Sequence, residues 1–335
     1  MRNASAKFDE AVSTVSPHLK NILMRVDEQT KASTFEIRLR ASKPVVLYGL
    51  FGSAFLKADS TIGQTFENSA VLCSAETLND TFNRICGYSI HTHQTDIVNG
   101  YVTMKGGHRA GVAGTAVCSD NSKVVSIRNI SSLNIRIARE VKGCADEIVE
   151  MFCCEKPSSV LIAGPPSSGK TTILRDLIRQ LSDFRCSRNF KVCVIDEREE
   201  LAAMNSGIPE NDIGFNCDVF NSYPKKTAIF NAVKTMSPQI IVCDEIADED
   251  EIEAIRMGVN TGVLFAAGIH ASSFSELVSR PQIEELMNVY SFDKVVLLKG
   301  AEEPCRIENI YDAGELRDEI YSRRVGLGDM HFCRC

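Results

Sequence analysis

The sequence predicts an α/β fold with a doubly wound, mostly parallel sheet, preceded by a smaller α+β domain. Three observations carry this. After residue 155, apolar runs of strand length alternate with helical stretches, the pattern of a parallel sheet joined by crossover helices. Before residue 140, short segments alternate at period two between glycine- and asparagine-bearing turns. Between them, the strand Val160-Leu161-Ile162-Ala163 runs into Gly164-Pro165-Pro166-Ser167-Ser168-Gly169-Lys170-Thr171-Thr172 and then a helical stretch, residues 173–181.

Residues 1–32 read as helix, with Phe8, Val12, Val15, Leu19, Ile22, Leu23 and Val26 at helical spacing and an interruption at Pro17. Phe35-Glu36-Ile37-Arg38-Leu39-Arg40 alternates as a half-buried strand, with Glu36, Arg38 and Arg40 on one face. Residues 44–48 continue as a second strand, and residues 73–86 form a helix entered through Ser74. From residue 88 to 140 the texture is β: strands at 100–104, 108–117, 124–128 and 131–139, with turns at Gly106-Gly107 and Asp120-Asn121. These segments give a domain plan of 1–140 for the α+β domain, 141–154 for a connecting helix, 155–299 for the parallel sheet and 300–335 for a C-terminal tail.

Within the second domain, strand 191–195 ends at Asp196-Glu197, and residues 204–224 form a long loop rich in glycine, proline and asparagine. Helix 226–236 precedes strand 239–243, which ends at Asp244-Glu245. Helix 248–257, strand 262–269 ending at His270, a helix from Phe274 and strand 292–298 follow. In the tail, residues 316–321 read as helix. His331-Phe332-Cys333-Arg334-Cys335 is a metal-ligand trio with no second cluster at zinc spacing, which favours a solvated tail.

The composition excludes several classes. With 335 residues, a net charge of −7 and a pI near 5.5, the chain is no nucleic-acid coat. Thirteen cysteines invite a disulfide reading, but Cys193 and Cys243 sit inside apolar runs and the N-terminus has no secretory hydrophobic region, which points to a reducing, cytoplasmic location. No stretch approaches the roughly eighteen apolar residues of a membrane span, so a membrane role would run through partners rather than direct insertion.

The segment from Gly164 to Thr172 has the spacing G-x-x-x-x-G-K-[ST] between a strand and a helix. Glycines at its ends let successive N–H groups face phosphate oxygens, and the helix presents its positive end to them. Lys170 would reach the β- and γ-phosphates of ATP, and the Thr171 hydroxyl would ligate Mg²⁺. At the ends of neighbouring strands, Asp244 fits a Mg²⁺ role through water, and either Glu197 or Glu245 would polarise the attacking water. His270, closing a third strand, is a candidate contact to phosphate or to a catalytic carboxylate.

In order and spacing, the segment at 164–172, Asp196-Glu197-Arg198, Asp244-Glu245-Ile246 and His270 resemble the four nucleotide-site motifs of secretion-superfamily ATPases. The chain is more similar still to the stage III AA family of sporulation ATPases. The similarity spans about residues 35–300 and includes Met236-Ser237-Pro238, Gly207-Ile208-Pro209, Asn99-Gly100-Tyr101-Val102-Thr103 and Gly106-Gly107-His108-Arg109. The resemblance implies a RecA-like P-loop ATPase using ATP and Mg²⁺. It also implies a homo-oligomeric ring, a hexamer, located in the mother-cell cytoplasm and held at the membrane by the membrane proteins of a sporulation channel complex. It further implies arginines acting on a neighbour's nucleotide, with Arg109, Arg128, Arg136 and Arg139 as candidates. Departures are Ala266-Ala267-Gly268-Ile269 before His270, where a threonine is common, Asp244 where glycine is frequent, and the absence of a tetracysteine insert. Two other functions fit the motifs: a nucleic-acid-dependent ATPase and a nucleotide-gated scaffold with negligible turnover.

Overall fold

A computed structural model describes residues 2–119, 123–154, 156–183, 190–205, 207–246 and 248–331. Its residues fall into two compact units: Met1–Arg139 with Asn205–Glu210, and Glu140–Met204 with Asn211–Cys335.

The first unit opens with α1 (Arg2–Val12), α2 (Pro17–Leu23) and α3 (Glu28–Ser33), three helices where one interrupted helix was expected. Pro17 begins α2, where its missing N–H costs no hydrogen bond, and the Asp27 carboxylate caps α3 by accepting from the Thr30 N–H at 2.9 Å. Strands β1 (Thr34–Arg40), β2 (Lys43–Pro44), β3 (Val46–Gly49), β4 (Gly52–Leu56), β5 (Ile62–Gly63) and β6 (Leu72–Cys73) precede α4 (Ala75–Ile85) and α5 (Gln94–Val98). Then come β7 (Tyr101–Thr103), β8 (Arg109–Cys118) and β9 (Val124–Arg136). Seven of these strands form an antiparallel sheet in the order β5-β4-β3-β1-β9-β8-β7, with β2 and β6 paired apart. Ile37, Leu39, Val102, Ala110, Leu133 and Ile135 point inward onto Phe8, Val12, Leu19, Leu78 and Phe82. The period-two alternation leaves Glu36, Arg38, Arg40, Asn134 and Arg136 on the opposite face.

The two strands expected at 124–128 and 131–139 are one. Asn129 takes a left-handed φ of 51° and the β8 pairing slips between Ala113 and Thr115, an irregularity that carries β9 through without ending it. Opposite it, a Cβ on Gly114 would lie 2.8 Å from the Arg128 carbonyl, so glycine is required there.

The second unit contains α6 (Asp146–Cys153), β10 (Val160–Gly164), α7 (Lys170–Ser182) and β11 (Val192–Asp196). Between β11 and β14 the chain forms a short ribbon, β12 (Met204–Asn205) with β13 (Ile208–Pro209), of which Asn205–Glu210 count with the first unit; in the second, β14 (Cys217–Asn221), α8 (Lys225–Asn231) and β15 (Ile240–Glu245) follow. It continues through α9 (Glu249–Val259), β16 (Leu264–His270), α10 (Phe274–Ser279), α11 (Pro281–Asn288), β17 (Lys294–Leu298), β18 (Ile307–Asp312) and α12 (Ala313–His331). The sheet order is β14-β11-β15-β16-β10-β17-β18, parallel throughout except for β18, which runs antiparallel to β17.

Alternate strand residues feed two cores. Leu161, Ala163, Ile195, Cys243, Phe265 and Val295 pack with Ile229, Ile255, Leu277 and Leu286 on one face. Val160, Ile162, Val194, Val242 and Val296 pack with Phe152, Leu174, Leu177 and Ile178 on the other. Helices on both faces make this the doubly wound α/β fold the sequence predicts.

The C-terminal segment differs from its expected tail: β18 extends the sheet, and Leu316 and Ile320 of α12 enter the core. The connecting helix α6 is shorter than 141–154, and the Asp176 carboxylate of α7 accepts the Ala145 N–H at its start, 3.0 Å away. Cys153 is disulfide-bonded, a departure from the expected thiol chemistry, whereas nine other cysteines of the described residues are free. The side chains of residues 331–335, the trio weighed as metal ligands, lie outside the described ones. Among the described residues no group of three or more histidine, cysteine, aspartate or glutamate side chains converges as a metal site, and no helix is long and apolar enough to cross a membrane.

Candidate active site

The loop from Gly164 to Thr172 leaves the carboxyl end of β10 and becomes the first turn of α7. Its glycines are steric necessities. A Cβ on Gly164 would lie 2.4 Å from the Ser168 Oγ, and Gly169 holds a left-handed φ of 95° as the residue preceding α7. Pro165, Pro166 and Ser167 form the outer turn, and Ser168 is fully buried beneath it. Lys170, half-buried, donates from Nζ to the carbonyls of Gly164 at 2.8 Å and Pro165 at 3.1 Å. Burial lowers its pKa, against the opposing pull of the Glu245 and Asp244 charges.

Two strands, β11 and β15, bring carboxylates to this same sheet edge, and β16 brings His270. The Thr171 hydroxyl donates to Asp244 Oδ1 at 3.2 Å, joining α7 to the end of β15. Asp244 is buried, and desolvation, then the nearby Glu200 and Asp196 charges, push its pKa up to about 6. The β15–β16 register slips between Cys243 and Glu245, leaving Asp244 as the bulged residue, with its carbonyl directed at Gly268. A Cβ at Gly268 would meet that carbonyl oxygen at 2.4 Å, which accounts for glycine at this position.

Asp196, wholly buried at the end of β11, is occupied in another way. Its Oδ1 accepts from the N–H groups of Glu200 at 2.8 Å and Leu201 at 3.0 Å, and its Oδ2 from those of Ala202 at 2.8 Å and Ala203 at 3.4 Å. Burial still raises its pKa against these four donors. The carboxylate thus shapes the loop that carries Glu197, and Arg175 of α7 secures the same loop by donating to the carbonyls of Glu200 at 2.7 Å and Leu201 at 3.2 Å.

Glu197 and Glu245 each have a cationic neighbour. Lys225 Nζ lies 3.4 Å from Glu197 Oε2 and 2.8 Å from Glu251 Oε1, and donates to the Glu245 carbonyl at 2.5 Å. Arg198 is 3.8 Å from Glu245 Oε2. Desolvation opposes the charge on the buried Lys225, but the Glu251 carboxylate more than offsets it and the pKa is raised. Sequence reasoning missed Lys225 and Arg175. A signal existed for the first: a lysine in the opening turn of a helix runs against the helix dipole and needs a partner elsewhere. His270 pairs with Gly164 across the β10–β16 ladder, and its buried Nδ1 makes no hydrogen bond among the described residues.

The four arginines all belong to the first unit. Arg128 and Arg136 are exposed on β9, with Arg136 Nε 4.0 Å from Glu36 Oε1. Arg109 stacks over the Tyr101 ring at 4.4 Å. Arg139 lies 4.3 Å from the Phe35 ring centroid and donates from Nη2 to the carbonyls of Ala32 at 2.8 Å and Thr34 at 2.9 Å, so its guanidinium is committed to local structure.

Known proteins share this architecture. The Legionella pneumophila ATPase DotB is 18% identical and superposes with a TM-score of 0.54 over 86% of this chain and 80% of its own. The pilus retraction motor PilT, solved with bound ADP, is 15% identical with a TM-score of 0.54 over 89% of this chain and 86% of its own. Both likenesses show the fold. In sequence, the Stage III sporulation protein AA of Bacillus subtilis (strain 168) is 32% identical over 96% of this chain and 99% of its own length. Residues 6–317 match the family described as Sporulation stage III, protein AA, and with this agreement the chain belongs to that family.

Proposed function

We propose that this protein hydrolyses ATP and works as a ring-forming motor energising assembly of, or transport through, a membrane-spanning channel complex during endospore formation. The observation that carries the reading is the Thr171–Asp244 hydrogen bond beside Lys170, at the carboxyl edge of a doubly wound sheet. A hydroxyl and a carboxylate side by side are hard oxygen donors suited to Mg²⁺, Asp244 acting through a water molecule. Mg²⁺ there would neutralise charge on the β- and γ-phosphates. The N–H groups of residues 167–172 cradle the phosphates and Lys170 pairs with them. Glu197, oriented by Lys225, accepts a proton from the attacking water; Glu245 is its competitor for that role. His270 contacts the terminal phosphate. Arg128 and Arg136, exposed on one face of the first unit, are the arginines best suited to reach a neighbouring subunit's nucleotide.

Phosphate release and light-scattering mass, measured with ATP and Mg²⁺, test this reading. Wild type should turn over and shift towards six subunits. Glu197→Gln should bind nucleotide and assemble without turnover, and Lys170→Ala should lose binding as well. Normal turnover in Glu197→Gln with none in Glu245→Gln would transfer the base role to Glu245. Binding and assembly by a wild type that never releases phosphate would leave the nucleotide-gated scaffold.

A second reading rests on the exposed sheet face of the first unit. Arg38 stacks over Tyr48 at 5.0 Å and Arg109 over Tyr101 at 4.4 Å, an arrangement suited to single-stranded nucleic acid. Stimulation of turnover by a single strand, falling steeply with salt, would favour a nucleic-acid-dependent ATPase.

A further inference from the structure

Two cysteines that the nucleotide chemistry does not use meet beneath the nucleotide loop. Cys305 lies in the turn between β17 and β18, and its N–H donates to the Ser168 carbonyl at 2.8 Å. Its sulfur is 3.9 Å from the Gly169 carbonyl oxygen, and a Cβ on Gly169 would come within 2.5 Å of that sulfur. Cys305 also holds a left-handed φ of 63°, a conformation uncommon outside glycine and retained where the surroundings impose it. Cys144, just ahead of α6, reaches the same spot from the other side, its sulfur 3.8 Å from the Thr172 carbonyl oxygen. The two sulfurs thus sit against carbonyls of one turn of the same loop and helix, close enough for each thiol to shift the proton affinity of the other. Both residues are partly exposed and both are free. Their chain segments are anchored independently: the first by Ala145 N–H on Asp176 and Gln180 on Asp146, the second by the β17–β18 ladder.

We propose that Cys305 and Cys144 form a thiol-modification site under the nucleotide loop, at which a low-molecular-weight disulfide such as oxidised glutathione installs a reversible Cys144–Cys305 cross-link that weakens nucleotide binding. In the first step the Cys305 thiolate attacks one sulfur of glutathione disulfide, forming a mixed disulfide and releasing one glutathione thiolate. In the second, the Cys144 thiolate attacks the Cys305 sulfur and expels the other glutathione. Two protein thiols give up two electrons and two protons, and one glutathione disulfide becomes two thiols. The surroundings set the roles: the neighbouring Cys144 lowers the pKa of Cys305, whereas Cys305 and burial raise that of Cys144, making Cys305 the attacking sulfur. Thr172 and Arg175 act on Cys305 in the same direction.

Closing the pair draws the sulfurs together to about 2.05 Å. Because Cys305 is bonded to Ser168 through its N–H and abuts Gly169 through its sulfur, the loop moves with it. The approach is so close that a Cβ on Gly169 would stand 2.5 Å from the Cys305 sulfur and 2.7 Å from its nitrogen, so a displacement of Cys305 is passed to the loop. The phosphate-facing N–H groups are then displaced.

The proposal rests on the nucleotide-site reading above, and the test separates the two. The full chain is equilibrated with oxidised or reduced glutathione. It is mapped by mass spectrometry after alkylation and titrated with ATP and Mg²⁺. Oxidised wild type should yield a Cys144–Cys305 linked peptide and bind ATP at least tenfold more weakly, both reversed by reductant. Cys144→Ser should accumulate one glutathione on Cys305, and Cys305→Ser should bind ATP equally well under both conditions. Absence of the linked peptide, a linked protein with unchanged affinity, or a Cys305→Ser variant that weakens as wild type does would each overturn the proposal. Failure of the reduced wild type to bind ATP would instead sink the nucleotide-site reading, and the proposal with it.

Discussion

Gly268 lies against the carbonyl of Asp244, so closely that a single added carbon would stand 2.4 Å from the oxygen. The bulge that aims the Asp244 carboxylate at Thr171 therefore depends on a missing side chain on the next strand. Gly268→Ala should push the β15 end outward, lower stability by about 1–3 kcal/mol as overpacking typically does, and reduce turnover at least tenfold. Thermal unfolding and phosphate release measured on one preparation check both; a variant with normal turnover would show the bulge to be irrelevant to the site.

Lys225 serves two carboxylates and a carbonyl from a buried position. Removing its charge breaks a buried ion pair with Glu251, which typically costs about 3–5 kcal/mol. Lys225→Met should accordingly lower the melting temperature sharply. Lys225→Met combined with Glu251→Leu should recover most of the stability, but not turnover, because Glu197 has still lost its orienting cation. Recovery of both together would confine Lys225 to a structural role.

Asp196 accepts four backbone N–H groups, two on each oxygen. In Asp196→Asn one oxygen becomes an amide donor facing two other donors, a loss of about 1–3 kcal/mol. Hydrogen exchange should show amides 200–203 deprotected while β10 and β16 keep their protection. Unchanged exchange at those four amides would refute the role given to Asp196.

A pH dependence is built into the first unit. His108 is fully buried; its Nδ1 accepts the Ala138 N–H at 2.9 Å and its Nε2 lies 3.6 Å from Glu10 Oε2. Burial lowers its pKa from 6.5 to about 4, although Glu10 and Glu210 pull it upward while Lys7 adds to the lowering. A depressed histidine pKa means that the unfolded chain takes up the proton first as pH falls. Stability should therefore decline between about pH 6.5 and pH 4, by a few kcal/mol, and level off below. Denaturant titrations across that range should show the slope in wild type and a shallower one in His108→Gln; equal slopes would assign the acid sensitivity to other groups.

The second unit was legible wherever the physics is local. Strand-length apolar runs, each ending in a polar residue, gave the parallel sheet, and the spacing from Gly164 to Lys170 located the loop. What stayed hidden depends on residues distant in sequence. Nothing near Gly268 announces the Asp244 carbonyl, and nothing near Lys225 announces Glu251. Asp196 looked like one more acidic residue in an acidic run, because its four donors appear only when the chain folds back at residues 200–203. Arg139 was indistinguishable from Arg136 by pattern, since both sit in an alternating segment; Phe35 and two carbonyls far back in the sequence separate them.

The antiparallel strand β18 also bears on how the protein can be divided. Lys294 to Leu298 lie between β10 and β18, so β17 is paired along both of its edges. A fragment stopped at residue 299 would keep the whole nucleotide loop yet bare a row of unsatisfied N–H and C=O groups beside an apolar sequence, Val295-Val296-Leu297-Leu298. Such an uncovered strand recruits copies of itself. The fragment would self-associate for reasons unrelated to nucleotide, mimicking assembly in a light-scattering experiment.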